Sequence, residues 1–310
     1  MENKFFWMRA ILVGAMLCLP GMASAQGASA KCSDRLVQDV PVRSVAAPGG
    51  REFVERVRGI SGAERDAAVS AELLAGNLPQ FLTRLKPVTL RGQLPGGKAV
   101  RITLCVAPDY LAIGSDSDFV RVPMGLAAAL AVADRFGFML PTTRMVDAIY
   151  LQAAAHLKPQ PMPAGPEMRS TEYFWQHNQT ILAQRQALRA PLGALTAGHK
   201  KDLVMSNRLW RKLDRVAIYG WQNSDGRPIQ PLSTLHGGRY ADYSHGVRLV
   251  SNVAYVNGVA RPTADILQDP RLAAVLSDEG AIRATDLKIA LGRHSVSTVA
   301  ALAENVPSHL

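Results

Sequence analysis

Residues 88–106 read VTLRGQLPGGKAVRITLCV. Apolar and β-branched residues fill 88–90 and 100–106, and Leu94-Pro95-Gly96-Gly97 between them is turn chemistry. The stretch therefore predicts two strands joined by a tight reversal. Downstream, 110–113 and 119–122 continue a small sheet across Gly114-Ser115-Asp116-Ser117-Asp118. That acidic loop lacks the twelve-residue spacing and closing Glu of a calcium-binding EF-hand, so it is read as a hairpin turn. Upstream, Ser61 with Glu64 forms a capping-box pair that opens a helix over Gly62–Leu74. A short helix over 78–85 is expected to end at Pro87. An Ala-rich helix over 125–136 follows, and Pro141 starts another with Met145, Ile149, Ala153 and Leu157 at helical spacing. His156 at its end suits the helix dipole and is read as structural.

The segment PQPMPAGP at 159–166 has linker composition. Beyond it, 171–188 predicts a helix whose Tyr173, Phe174, Trp175 and His177 form a packing face. Strands follow at 203–205, 216–221 and 247–256, with Asp225-Gly226 as a tight turn. Short helices are expected at 264–276 and 285–291. Strands and helices do not alternate, which disfavours a doubly wound sheet. The expected class is α+β: a helical N-terminal half with a small sheet, followed by a mainly antiparallel sheet with flanking helices. The chain divides into 1–25, an N-terminal α+β portion at 26–158 (its residues 26–50 an arm), the linker at 159–166, and a C-terminal α+β portion at 167–310.

The first 25 residues have the layout of a secretory signal peptide. Lys4 and Arg9 precede an apolar run from Ala10 to Met22, too short to span a bilayer comfortably, and Ala23-Ser24-Ala25 is a small-x-small cleavage site. Cleavage near Ala25 predicts a secreted or periplasmic mature chain with no transmembrane segment. Losing Glu2, Lys4 and Arg9 lowers the formal charge from +10 to +9. An exported basic protein meets few nucleic acids, and its aromatics do not interleave with basic residues, so the partner expected is an anionic polymer or small-molecule substrate. Export also makes Cys32 and Cys105 a disulfide pair, closing a long loop worth about 4 kcal/mol on the chain-entropy model. The competing role for Cys105, a thiol nucleophile, lacks a nearby histidine in sequence.

No G-x-S-x-G elbow, P-loop, dinucleotide fingerprint, H-E-x-x-H or CxxC occurs. The chemistry concentrates in two polar runs that each lead into a strand: Gly198-His199-Lys200-Lys201-Asp202, and 236–246, which reads HGGRYADYSHG. The candidate catalytic residues are His199, His236, Asp242, Ser244 and His245. Lys200, Lys201, Trp221, Arg239, Tyr240, Tyr243 and Arg248 are candidates for holding substrate. Three chemistries fit these residue types. Ser244 can be a nucleophile, but in extended chain it shares a face with Asp242 and not with His245, so its base must be His199 or His236. His199, His236, Asp242 and His245 are candidate ligands of a single divalent metal such as zinc, with water in the open position. A Tyr or His beside Arg239, Arg248, Lys200 and Lys201 can abstract a proton next to a neutralised carboxylate, as in a lyase of acidic polysaccharides.

Against these stands a turn-capping role, with Tyr240, Asp242 and Ser244 satisfying backbone groups and the His245 ring bonding a carbonyl. Arg121 and the Arg185–Arg189 stretch are read as surface or packing features. The expectation from sequence is a secreted hydrolase of an ester or amide bond in an anionic envelope or extracellular polymer, by a Ser/His or metal-activated-water mechanism. The alternatives are a non-catalytic basic protein that binds such a polymer, and the lyase.

Overall fold

The computed structural model describes Cys32 and residues 37–304; the expected signal peptide lies outside the described residues. Strands β1 (Lys86–Gln93) and β2 (Ala99–Val106) form the antiparallel hairpin expected from 88–106, in unbroken register from Lys86 opposite Val106 to Gln93 opposite Ala99. Val88, Ile102 and Leu104 are fully buried while Arg91 and Arg101 face solvent, the period-2 alternation of a half-covered sheet. The hairpin is preceded by helices α1 (Gly50–Arg56) and α2 (Gly62–Leu74). Ser61 does hold the extended N-cap conformation before α2, but its side chain makes no capping hydrogen bond. The helix expected over 78–85 is only a 3-10 turn at Gln80–Thr83, because Pro79 and Pro87 flank it too closely.

A second hairpin, β3 (Ala112–Gly114) and β4 (Phe119–Arg121), carries the acidic loop. The loop is structural: Asp118 accepts the Arg51 N–H at 3.1 Å, and Asp116 accepts that of Phe81 at 3.0 Å. Then come α3 (Leu126–Arg135), β5 (Phe138–Met139) and α4 (Thr143–Gln152), whose N-cap Thr142 accepts the Met145 N–H at 3.2 Å. His156 is not at a helix end. It lies in β6 (Ala155–His156), which pairs in parallel with β7 (Thr196–Ala197) beyond α5 (Thr171–Ala187).

The C-terminal portion supplies β8 (Lys201–Leu203), β9 (Ile218–Gln222), β10 (Pro228–Ser233) and β11 (His245–Gly246), hydrogen-bonded in the order β10-β9-β8-β11. Asp225-Gly226 turns β9 into β10 as expected, with Asp225 accepting the Arg227 N–H at 3.0 Å. The apolar run at 247–256 is broken into β12 (Val250–Ser251) and β13 (Val253–Val256), and β14 (Val259–Pro262) follows. Pro270 divides the expected 264–276 helix into α6 (Thr263–Gln268) and α7 (Ala273–Leu276), and α8 (Ala284–Glu304) ends the described chain.

Eight helices and mainly antiparallel sheets among the described residues make this an α+β protein. Strands from both sides of 159–166 share one sheet: β2 lies between β13 and β12, and β12 pairs onward with β5. One hydrophobic core, running from Phe53 to Leu291, likewise joins the two portions. Cys32 and Cys105 form the expected disulfide, with Cα atoms 5.4 Å apart, fastening the arm to β2. This removes Cys105 as a nucleophile. Among the described residues no helix is long and apolar enough to cross a membrane.

Candidate functional site

The two polar runs do come together. His245 sits opposite Lys201 and Gly246 opposite Asp202 where β11 pairs in parallel with β8, and the Lys201 N–H donates to the Ser244 carbonyl at 2.7 Å. The two histidine rings nevertheless join different clusters.

His199 belongs to a buried ion cluster around Asp109. Its Nε2 is 3.0 Å from Asp109 Oδ1, and the same carboxylate accepts from Arg121 at 2.7 and 3.1 Å and from Arg185 at 3.3 Å. Of the surface and packing roles expected from sequence, Arg121 and Arg185 take the second, as buried core groups. Burial alone would raise the Asp109 carboxyl, but Arg121 and His199 outweigh it and hold it well below the usual range. Burial pushes His199 down to about 4 against the pull of Asp109, so its ring is neutral at pH 7. Next to this cluster, Tyr110 donates to Asp202 at 2.8 Å, and burial raises Asp202 to about 7. Arg248 is fully buried, stacks its guanidinium 4.1 Å from the Tyr110 ring and donates to the carbonyls of Ala107 and Thr196 at 3.0 and 2.7 Å. Lys200 is fully buried as well, donating to the Tyr243 carbonyl and meeting His177 Nδ1 at 3.1 Å. Arg248 and Lys200 are therefore not at a surface where they could hold a substrate.

His245 belongs to a second cluster, centred on Asp242. Ser244 donates both its N–H (2.8 Å) and its hydroxyl (2.6 Å) to Asp242 Oδ1, and Tyr240 donates its hydroxyl to Oδ2 at 3.1 Å. The face shared by Asp242 and Ser244, read from sequence, is realised as a turn. Ser244 is fully buried, and its proton goes to a carboxylate and not to a histidine. His236 stacks on Tyr240 with ring centroids 4.1 Å apart and planes 7° from parallel. The His245 ring lies 5.6 Å from Tyr240 and 6.2 Å from His236, with Nε2 3.9 Å from Asp242 Oδ2, too long for a hydrogen bond. His245 is fully buried, and neither of its ring nitrogens has a partner among the described residues. It does not bond a carbonyl as the turn-capping role expected.

Charge in this cluster follows burial. His245 is pushed down to about 4 by burial, with Asp242 opposing, and burial lowers half-buried His236 too. Burial and then Asp242 raise Tyr240 to about 12. Burial works against the Asp242 charge, but His245, the Ser244 hydrogen bonds and Lys201 outweigh it, and the carboxyl is held below its ordinary value. At neutral pH the cluster is a carboxylate, a protonated phenol and neutral imidazoles. Half-buried Lys201 holds its amine 5.0 Å from the Trp221 ring centre. Trp221 and Tyr243 themselves are buried in a small aromatic cluster with Phe174. Trp221 has a left-handed backbone, φ 60°, which is strained for a bulky residue. Among the described residues no three His, Cys, Asp or Glu side chains converge into a metal-binding group. Of the expected ligands, His236 stacks on Tyr240 and Asp242 accepts from Tyr240 and Ser244.

Tyr240 also lines a groove of about 500 Å³. Leu126 and Ala127 of α3, Leu213 and Leu291 form its apolar wall, and Arg169, Arg215 and Arg239 bring charge. Sequence reading found Arg239 but not Arg169 or Arg215, which lie far from it in the chain and carry no local pattern. Of the candidate residues, then, His236, Arg239, Tyr240, Asp242, Ser244, His245 and Lys201 form one neighbourhood, and His199, Lys200 and Arg248 form the buried support beneath the sheet. Comparison with protein-family models, curated proteins and solved structures finds no match to this chain.

Proposed function

We propose that this is an exported hydrolase that cleaves an ester or amide bond in an anionic substrate, with His236 as the general base. The observation that carries this is the His236–Tyr240 stack: it joins an arginine-bearing groove, which Tyr240 lines, to the buried Asp242 carboxylate. Burial keeps His236 neutral at pH 7, so its free nitrogen can take a proton from water. Asp242 favours the imidazolium that forms, because its charge pulls the His236 pKa up. The attacking water oxygen bonds to the carbonyl carbon, its proton passes to His236, and His236 returns that proton to the leaving group as the bond breaks. Tyr240, its proton held toward Asp242, positions the ring and does not act as a base. Arg169, Arg215 and Arg239 offset the substrate's charge. The disulfide and the basic mature chain support export and an envelope or extracellular polymer as the source of that substrate.

The same neutral base beside guanidinium groups also suits β-elimination from a uronate, and the products separate the two reactions. Hydrolysis of de-O-acylatable or amide-bearing anionic glycans in ¹⁸O-water places solvent oxygen in the product. A lyase instead leaves an ultraviolet-absorbing unsaturated chain end. His236→Gln should lower kcat by about 10²–10⁴-fold and leave the melting temperature unchanged, since the ring is half-buried and stacked. Turnover that survives His236→Gln would remove this base from the mechanism, and binding without any turnover would leave a polymer-binding protein.

A further inference from the structure

We infer that the groove recognises an amphiphilic anion, a carboxylate or phosphate carried directly on an apolar body, and so binds a small acyl- or alkyl-bearing unit and not a bare polyanion. This rests on the groove being the substrate site of the proposed hydrolase, but not on the identity of its base.

Leu126, Leu213 and Leu291 line the groove together with Arg169, Arg215 and Arg239, so apolar and cationic side chains share one lining. Asp214, the acid that also lines it, is already taken by Arg215, whose Nε is 3.1 Å away. Among the described residues Arg239 makes no hydrogen bond or ion pair, and the Arg169 guanidinium lies 5.7 Å from the Tyr240 ring and near the buried Arg65. The groove therefore carries uncompensated positive charge. An inorganic anion would use the guanidinium groups and leave the apolar part of the lining, including half-buried Leu213, without a partner, and a neutral alcohol would do the reverse. Arg215 Nη1 donates to the Leu235 carbonyl at 2.7 Å, which fixes its guanidinium. A volume of about 500 Å³ encloses one unit of this kind and not a long polymer segment. Arginine adds planar two-pronged hydrogen bonding suited to carboxylate and phosphate.

Titration calorimetry on the mature protein, with decanoate, decyl phosphate, decanol and inorganic phosphate as probes below their aggregation concentrations, tests this. Decanoate and decyl phosphate should bind one to one, at least about tenfold more tightly than decanol or phosphate. Arg239→Ala combined with Arg169→Ala should weaken them by about tenfold or more, and so should Leu213→Ser. His236→Gln should remove turnover and leave this affinity intact, so loss of the base and loss of the site read differently. Vesicles of phosphatidylglycerol that displace decyl phosphate support the site with a lipid headgroup as its source. Vesicles that fail to displace it, while free decyl phosphate binds, support it with a soluble amphiphile. Decanol or phosphate binding as tightly as decanoate, or affinity unmoved in the double arginine variant, overturns the inference.

Discussion

His245 and Asp109 are both buried, yet they predict opposite outcomes on substitution. The His245 ring nitrogens have no partner among the described residues, and the ring is neutral above about pH 4. A buried polar group left unpaired costs stability, and this ring lies beside Tyr240 and His236 of the proposed site. His245→Leu should therefore keep or raise the melting temperature while lowering activity; early melting would show a structural role instead. Asp109 is the converse case. Asp109→Ala leaves Arg121 and Arg185 buried without their carboxylate and should cost about 3–5 kcal/mol in urea unfolding. The raised Asp202 gives a pH signature. Its carboxyl titrates near 7 in the fold against about 3.9 unfolded. The folded state thus binds the extra proton, and that stability is complete below the unfolded value and lost as pH rises through about 7. Asp202→Asn should gain on the native protein as melts are taken from about pH 4 up to pH 7 and beyond. A constant difference across that range would mean that Asp202 stays ionised. None of this was legible locally. Lys200 and Lys201 are adjacent and identical in type, and only the sheet decides that one is fully buried and the other half-exposed.

At the scale of elements, the short parallel pairing of β8 with β11 sets the site. Gly246 lies against the Tyr110 ring so closely that a Cβ there would meet Tyr110 Cδ1 at 2.5 Å. Gly246→Ala should cost about 1–3 kcal/mol through overpacking, and it should displace Tyr110 from Asp202, visible as a shifted pH dependence. The disulfide works on a different element, holding the arm against β2. Cys105→Ser should remove about 4 kcal/mol on the chain-entropy model for a loop of this length, read from denaturant midpoints with and without reductant. Elements whose signals are short-range were the readable ones. The 88–106 hairpin needs only alternation and a Pro-Gly-Gly turn, and α2 spans Gly62–Leu74 as expected even without a capping hydrogen bond from Ser61. The 247–256 run failed as a single strand because its two strands pair differently, β12 with β2 and β5 and β13 with β2 and β14, which no local pattern states.

The molecule as a whole has one core crossed by an extended segment. Since β2 is flanked by β12 and β13 from the other side of 159–166, proteolytic cleavage within that segment should leave two fragments that stay associated and unfold together. Fragments that separate and each melt cooperatively would show two independent units. Net charge also belongs to this scale. With the basic groups of the groove exposed, binding of a small anionic amphiphile such as decyl phosphate should weaken as salt rises from about 0.01 M to 0.15 M, where the screening length falls from about 30 to 8 Å.

The amino-acid sequence by itself determined the α+β class, the main hairpin, the extent of α2 and the Cys32–Cys105 pairing. Each follows from steric and hydrogen-bonding rules acting over a few residues, or from having only two cysteines to join after the expected signal peptide. The tertiary structure alone decided that neighbouring strands would send His199 to Asp109 and His245 to Asp242, that Lys200 and Arg248 would be buried supports, and that Arg169 and Arg215 would meet Arg239 around one groove. Asp109 and His199 are 90 residues apart in the chain. Ion pairing, burial and the pKa values that follow depend on such long-range contacts, which exist only once the sheets and helices have packed.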